Sequence, residues 1–263
     1  MSTLFPEILD DYLKILVVSD IHDNRKFYEA LTPLLEKHPV DCSIVCGDIL
    51  DLPHQINTSL APLYDAQLVE YLTCFSSLTS NVLYVLGNHD PVLHSRLIHS
   101  ENILRICTHK KRTLITPGLS IIGLNGSVPS YTDDALIYEG HPYADDNAFG
   151  KDLEESLSLA LENEQVILLT HSGPKGETTL DRSGSKVIDM GSQSLSTVLD
   201  NNEQILINIH GHSHNSAGLV THKQCSVLNP GSGVAGKGCF LELRRELGKW
   251  TIGNIDWFEL VVD

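Results

Sequence analysis

Cys42-Ser-Ile-Val-Cys-Gly-Asp-Ile-Leu-Asp51 is a short apolar run that stops abruptly at Gly47-Asp48. Its length, and the Gly and acids that bound it, predict a buried strand whose C-terminal end delivers a carboxylate into a crevice. Four other stretches finish in the same way: Ile15-Leu-Val-Val-Ser-Asp20-Ile-His22, Val82-Leu-Tyr-Val-Leu-Gly87-Asn88-His89-Asp90, Val166-Ile-Leu-Leu-Thr-His171 and Ile205-Leu-Ile-Asn-Ile-His-Gly211-His212-Ser-His214. Five apolar strands, each ending in a side chain able to hold a metal, describe a site. Asp48 stands at its centre.

The segments between these strands set the architecture. Residues 25–37 carry Phe27, Leu31, Leu34 and Leu35 on one helical face and stop before Pro39. Residues 53–62 read as a loop, and 65–77 as a second helix with Leu68, Val69, Leu72 and Phe75 inward. The third strand is expected to run to Gly87-Asn88. Such alternation predicts parallel strands joined by crossover helices, with ligands bound beyond the strand C-termini. A short helix is expected from about Pro91, then antiparallel strands at 113–116 and 119–124 around Pro117-Gly118. Residues 125–147, with Tyr131, Tyr138 and Tyr143, form a long polar loop expected to wall a substrate pocket. A helix over 151–163, a strand over 166–170, an irregular stretch over 173–191 and strands with turns over 218–263 complete the chain. A parallel half joined to an antiparallel half predicts two facing sheets with helices outside.

Composition narrows the function. With 263 residues, 41% of them hydrophobic, the chain can bury a sizeable core. Its 34 acidic residues against 18 basic ones give a formal charge of -16, which disfavours a protein that grips nucleic acid through phosphates. The six cysteines form no C-x-x-C pair and read as reduced core residues. The N-terminus lacks the basic start of a signal peptide, and no run approaches the roughly 18 apolar residues a membrane helix needs. A cytoplasmic chain without membrane association is expected; the oligomeric state stays open.

A lone Asp at a strand end is usually a turn or cap residue. Here Asp20-x-His22, Gly47-Asp48-x-x-Asp51, Gly87-Asn88-His89-Asp90, His171 and Gly211-His212-x-His214 supply a mixed oxygen and imidazole set. Such a set suits Mn, Fe, Zn or Ni better than Ca, and the lack of thiolates argues against structural zinc. If the backbone is extended, residues i and i+2 share a face, so Asp20/His22 and His212/His214 would each present two side chains to one pocket. Residues 231–238 satisfy G-x-G-x-x-G, but a strand pattern follows where phosphate binding needs a helix, so nucleotide binding is discounted there. His54, His94, His99, His109 and His222 read as surface or helix-face residues, and His210 should point away from the site. Lys175 and Arg182 are candidates to hold a substrate phosphate, with solvated loop charges as the alternative.

In order and spacing, the five blocks resemble the calcineurin-like metallophosphoesterase superfamily pattern D-x-H, G-D-x-x-D, G-N-H-[DE], H and G-H-x-H. Gly123-Leu-Asn-Gly-Ser-Val-Pro, His171-Ser-Gly-Pro with Leu180-Asp181 downstream, and Asn229-Pro-Gly-Ser232 resemble a branch of small single-domain members, whose H-x-P-P is Ser-Gly-Pro after the His here, so that branch's substrate preference does not carry over. The resemblance implies an α/β fold, a four-layer α/β/β/α sandwich of two mixed sheets, with one domain over residues 1–263. It implies two metal ions, one among Asp20, His22, Asp48 and His214 and the other among Asp48, Asn88, His171 and His212, with a metal-bridging hydroxide as nucleophile. His89 would give a proton to the leaving group, oriented by Asp51. The expected activity is hydrolysis of small-molecule phosphomonoesters or phosphodiesters. A nuclease is the alternative enzyme, disfavoured by charge; a scaffold of the same fold is disfavoured by the intact ligand set.

Overall fold

Leu13, Ile15 and Val17 alternate with Leu16 and Val18 along the first strand, and both sets are buried. A strand covered on both faces needs such a near-continuous apolar run. The odd set joins Ile44, Ile121, Ile167 and Ile207 in a core between two sheets, while the even set packs with Phe27, Leu31, Leu68 and Phe75 from two helices. A third core places Ile122, Leu124, Val166 and Leu168 against Phe149, Leu153, Leu195 and Leu199. Three cores between four layers make an α/β/β/α sandwich.

This computed structural model describes residues 11–53, 58–79, 81–93, 95–96, 105–132 and 135–262. The chain begins β1 (Tyr12–Val18), α1 (Arg25–Lys37), β2 (Cys42–Val45), α2 (Ala61–Leu78), β3 (Val82–Tyr84) and β4 (Arg105–Cys107). It continues β5 (Arg112–Thr116), β6 (Leu119–Leu124), β7 (Ser130–Thr132), β8 (Ala135–Tyr138), α3 (Asp146–Leu157) and β9 (Gln165–Thr170). Two short strands, β10 (Leu180–Asp181) and β11 (Ile188–Asp189), precede α4 (Gln193–Asn201), β12 (Ile205–Ile209) and β13 (Gly218–His222). β14 (Cys225–Asn229), β15 (Lys237–Glu246) and β16 (Lys249–Glu259) follow.

One six-stranded sheet has the order β16-β15-β1-β2-β3-β4, the other β13-β14-β12-β9-β6-β5. In the first, β1 to β4 are parallel and β15 joins β1 antiparallel. In the second, β6, β9, β12 and β14 are parallel, with antiparallel β5 and β13 at the edges. Parallel and antiparallel pairing is thus mixed within each sheet, not divided between halves.

Several expectations from the sequence need correction. α2 starts at Ala61, because Pro62 is tolerated in a first turn where its missing N–H costs nothing. β3 stops at Tyr84, leaving Gly87-Asn88 in a turn beyond it. α3 spans Asp146–Leu157, earlier than expected, because Asp145 caps it by accepting from the N–H of Ala148 at 2.9 Å. α4 went unpredicted, although Ser192 caps it through the N–H of Leu195. The loop over 125–147 contains the β7–β8 hairpin, and 173–191 contains β10–β11. Cys74 is exposed, while the other five thiols are buried. No α-helix is seen among the described residues 91–93 and 95–96. His54, His94, His99 and most of the helix expected after Pro91 lie outside the described residues. The discounted glycine run leads into a strand, β15, which begins at Lys237 within it. No helix among the described residues is long and apolar enough to cross a membrane.

Candidate metal centre

The parallel strands of the two sheets end at a common rim, and the chemistry-bearing turns gather there. Past β1, the N–H groups of Ile21 and His22 donate to the Asp48 carbonyl at 2.8 and 3.0 Å, and that of Asp20 to the Gly47 carbonyl at 3.0 Å. Asp20, His22, Asp48 and His212 all have positive φ, at 52°, 47°, 49° and 67°. Side chains other than Gly rarely adopt this conformation, which costs roughly 1–3 kcal/mol per residue, and it concentrates at functional sites. Asp20/His22 and His212/His214 therefore share a pocket through turns past the strand ends and not, as the sequence suggested, through an extended pleat.

Glycine is required where these turns meet. A Cβ on Gly87 would fall on Oδ1 of Asp48, and one on Gly47, whose φ is +93°, would lie 2.6 Å from the Gly87 nitrogen. Asp90, fully buried, ties the same turns together. Its Oδ1 accepts the N–H groups of Ile49 and Leu50 at 3.0 and 2.8 Å, and its Oδ2 that of Gly87 at 2.9 Å. Burial and the charge of Asp48 raise its carboxyl to about 7 against these donors. Sequence reasoning gave Asp90 no task, although its place in the Gly-Asn-His-Asp block was a signal.

Among the described residues, three groups of potential ligands result, each with donor atoms within 4.8 Å of one another: Asp20, His22 and His214; Asp48, His171 and His212; and His22, Asp51 and His89. The first two hold the ligands that the sequence pattern implies, and the third joins His22 to His89 through Asp51. Nε2 of His22 lies 3.2 Å from Nε2 of His214, which is 3.3 Å from Oδ1 of Asp20. In the second group, Nε2 of His171 is 3.2 Å from Oδ2 of Asp48 and 3.0 Å from Oδ1 of Asn88, while its Nδ1 is held 2.8 Å from the Cys46 carbonyl. Oδ2 of Asp48 is also 3.7 Å from Nε2 of His22, so one oxygen faces the first two groups. Its Oδ1 accepts the His89 N–H at 2.8 Å.

Electrostatics follow from burying two carboxylates among imidazoles. Burial opposes the charge on Asp48, but His171, with His22 and His89, outweighs it and holds the carboxyl well below its ordinary range. Asp20 is likewise held low, burial being overcome by His214 and His171. Burial disfavours a proton on His171, yet Asp48 and Asp20 lift it to about 9. His212, pressed by burial and by His171, falls to about 3. Its Nε2 is buried with no hydrogen-bond partner among the described residues. A neutral imidazole with an unmatched nitrogen, beside carboxylates that draw positive charge, fits a cation site. His210 turns away, its Nε2 3.0 Å from the Thr178 hydroxyl.

A cavity of about 360 Å³ opens over these groups and is lined by His22, Asp48, Asn88, His89, His212 and His214. Asp51 lies beside it, near His22 and His89. Lys175 is exposed, and Arg182 pairs with Glu177 at 2.6 Å; neither lines the cavity. The remaining wall includes Tyr138, one of the tyrosines named in the 125–147 loop, and Glu139, Asp181 and Met190, which the sequence did not mark individually as ligands or substrate contacts. Of the tyrosines in 125–147, Tyr138 reaches the cavity, Tyr131 is exposed, and Tyr143 is buried with its hydroxyl donating to Asp152 at 2.9 Å.

The profile of the calcineurin-like phosphoesterase superfamily domain matches residues 13–238. No curated protein matches significantly. Among solved structures, a Thermus thermophilus protein aligns at TM-score 0.61 and 18% identity, over 92% of this chain and 98% of that one. A dimetal phosphatase from Danio rerio aligns at TM-score 0.57 and 12% identity, over 95% and 99%. Phosphopantetheinyl hydrolase from Mycobacterium tuberculosis aligns at 0.51 and 14%, over 84% and 90%. At these identities, the likeness establishes the fold.

Proposed function

The chain belongs to the calcineurin-like phosphoesterase superfamily of metal-dependent phosphate-ester hydrolases, and from that premise we propose that it hydrolyses small phosphorylated molecules, monoesters or diesters, with two divalent ions. The proposed ligands are Asp20, His22, Asp48 and His214 for one ion and Asp48, Asn88, His171 and His212 for the other. The observation that carries the reading is Oδ2 of Asp48, 3.7 Å from Nε2 of His22 and 3.2 Å from Nε2 of His171. Mn, Fe, Zn and Ni suit this donor set. Bound there, such ions would supply Lewis-acid charge neutralisation at the phosphoryl group and lower the pKa of a water.

The chain's own residues have separate tasks. Asp20 and Asp48 would repel an anionic substrate unless cations offset them, so in this reading metal loading is a condition of substrate binding. His89 lines the cavity without being needed as a ligand, and so can give a proton to the departing oxygen, a contribution of about 10²–10⁴-fold. Asp51 holds its ring. Five buried free thiols support a reducing, cytoplasmic setting.

The test is to strip the purified protein of metal, reload it separately with Mn, Fe, Zn or Ni, and assay nitrophenyl phosphate and bis(nitrophenyl) phosphate. Restored hydrolysis with at least one ion is expected. Loss of turnover on both esters with every ion overturns the reading.

A further inference from the structure

Beyond the ligand groups, the cavity wall is chemically one-sided. Glu139, Asp181, Tyr138 and Met190 line it, together with the uncharged Ser183, Ser213 and Asn215. All 18 Lys and Arg residues lie among the described part of the chain, and none lines the cavity. The Ser183 N–H holds the Asp181 carboxyl below its ordinary range. Two carboxylates and an aromatic ring lining one cavity are the chemistry that recognises an ammonium group: carboxylates supply charge, and an aromatic ring can supply cation–π attraction. The same wall disfavours a second phosphate or carboxylate on the substrate.

The two carboxylates come from segments that support each other. Glu139 follows Tyr138 at the end of β8, and β8 pairs with β7, which in turn contacts β11. Asp181 lies on β10, paired with β11 through Asp181 and Ile188, and its Oδ1 accepts the Ser183 N–H at 2.9 Å. Asp181 is thereby held in place, not left to swing in solvent.

We propose that Tyr138, Glu139 and Asp181 form a subsite for a cationic arm, so that the preferred substrate is a phosphate ester of an ammonium-bearing alcohol. This rests on the hydrolase reading above and adds the class of substrate. Arg182, beside Asp181, is paired with Glu177 and does not neutralise the wall.

Two nitrophenyl phosphodiesters test it, one with a choline arm and one with the neutral 3,3-dimethylbutyl arm of the same shape. Their leaving group and phosphate charge are identical. The choline ester is expected to have a kcat/KM about tenfold higher, and Glu139→Gln with Asp181→Asn should bring that ratio towards one. Choline binding to the metal-loaded protein, followed by calorimetry, should weaken in the same double variant. Equal turnover of both esters by the unaltered enzyme overturns the subsite and leaves the hydrolase reading standing, as does a preference that survives the double variant. If neither diester turns over, choline binding decides: binding that depends on the two carboxylates keeps the cation subsite, binding indifferent to them overturns it, and the hydrolase reading stands or falls on the nitrophenyl phosphate assay above.

Discussion

Oδ1 of Asp51 stands 3.2 Å from Nδ1 of His89. The same oxygen is 3.3 Å from Nδ1 of His22, and the two imidazoles meet edge to face with centroids 5.0 Å apart. Asp51 therefore positions both the proposed proton donor and a proposed metal ligand, a double duty that the sequence pattern alone did not reveal.

His89→Asn should keep near-normal metal content, because His89 is not required in either ligand set. Activity should fall steeply on alkyl phosphates, whose leaving oxygen needs a proton, and much less on nitrophenyl esters. Steady-state kinetics on both ester types check this. Equal losses, with metal retained, would mean that His89 positions the phosphate instead.

Asp51→Asn should act through both histidines. Alongside a milder version of the His89→Asn pattern, it should weaken metal affinity several-fold, as loss of a partner to a metal-bound imidazole does. Metal titration of the variant measures that part. A double-mutant cycle with His89→Asn measures the rest, and on alkyl esters the double variant should be little worse than His89→Asn alone. Unchanged metal affinity would confine Asp51 to His89.

Asp90→Ala should destabilise the fold, because it strands the buried N–H groups of Ile49, Leu50 and Gly87. A loss of about 3 kcal/mol, or about 6–12 °C in Tm, is expected for a chain of this size. Asp90→Asn keeps an acceptor and should cost less than half as much. Thermal unfolding checks both, and equal effects would deny the acceptor role.

Replacing the β7–β8 hairpin with a short linker should change relative kcat/KM across a panel of esters while leaving metal content intact. Tyr138, at its end, lines the cavity, and the proposed ligands lie elsewhere. Identical selectivity after the replacement would make the hairpin a surface insertion only.

Much of the fold was legible because strands covered on both faces must be nearly continuously apolar, as 15–18, 42–46 and 166–170 are, with Ser43 and Thr170 the exceptions. The candidate ligands were legible because they follow those runs in short blocks. Their geometry was not: the left-handed backbone at Asp20, His22, Asp48 and His212 is imposed by hydrogen bonds between turns and leaves no trace in the local pattern. α4 escaped notice because it has only nine residues, too few to display a clear period. Asp181 joins Tyr138 and Glu139 in lining one cavity only after the chain folds, so no spacing marks it as their neighbour.

The central claim is that one carboxylate, Asp48, serves two ions, and the metal-to-protein ratio of unaltered enzyme and Asp48→Asn, purified side by side and analysed for elements, tests it most directly. The unaltered protein should carry about two ions per chain and Asp48→Asn fewer than about one, with activity lost in step. Asp20→Ala, by comparison, should release one ion more readily than the other. Full retention of both ions by Asp48→Asn would contradict the account.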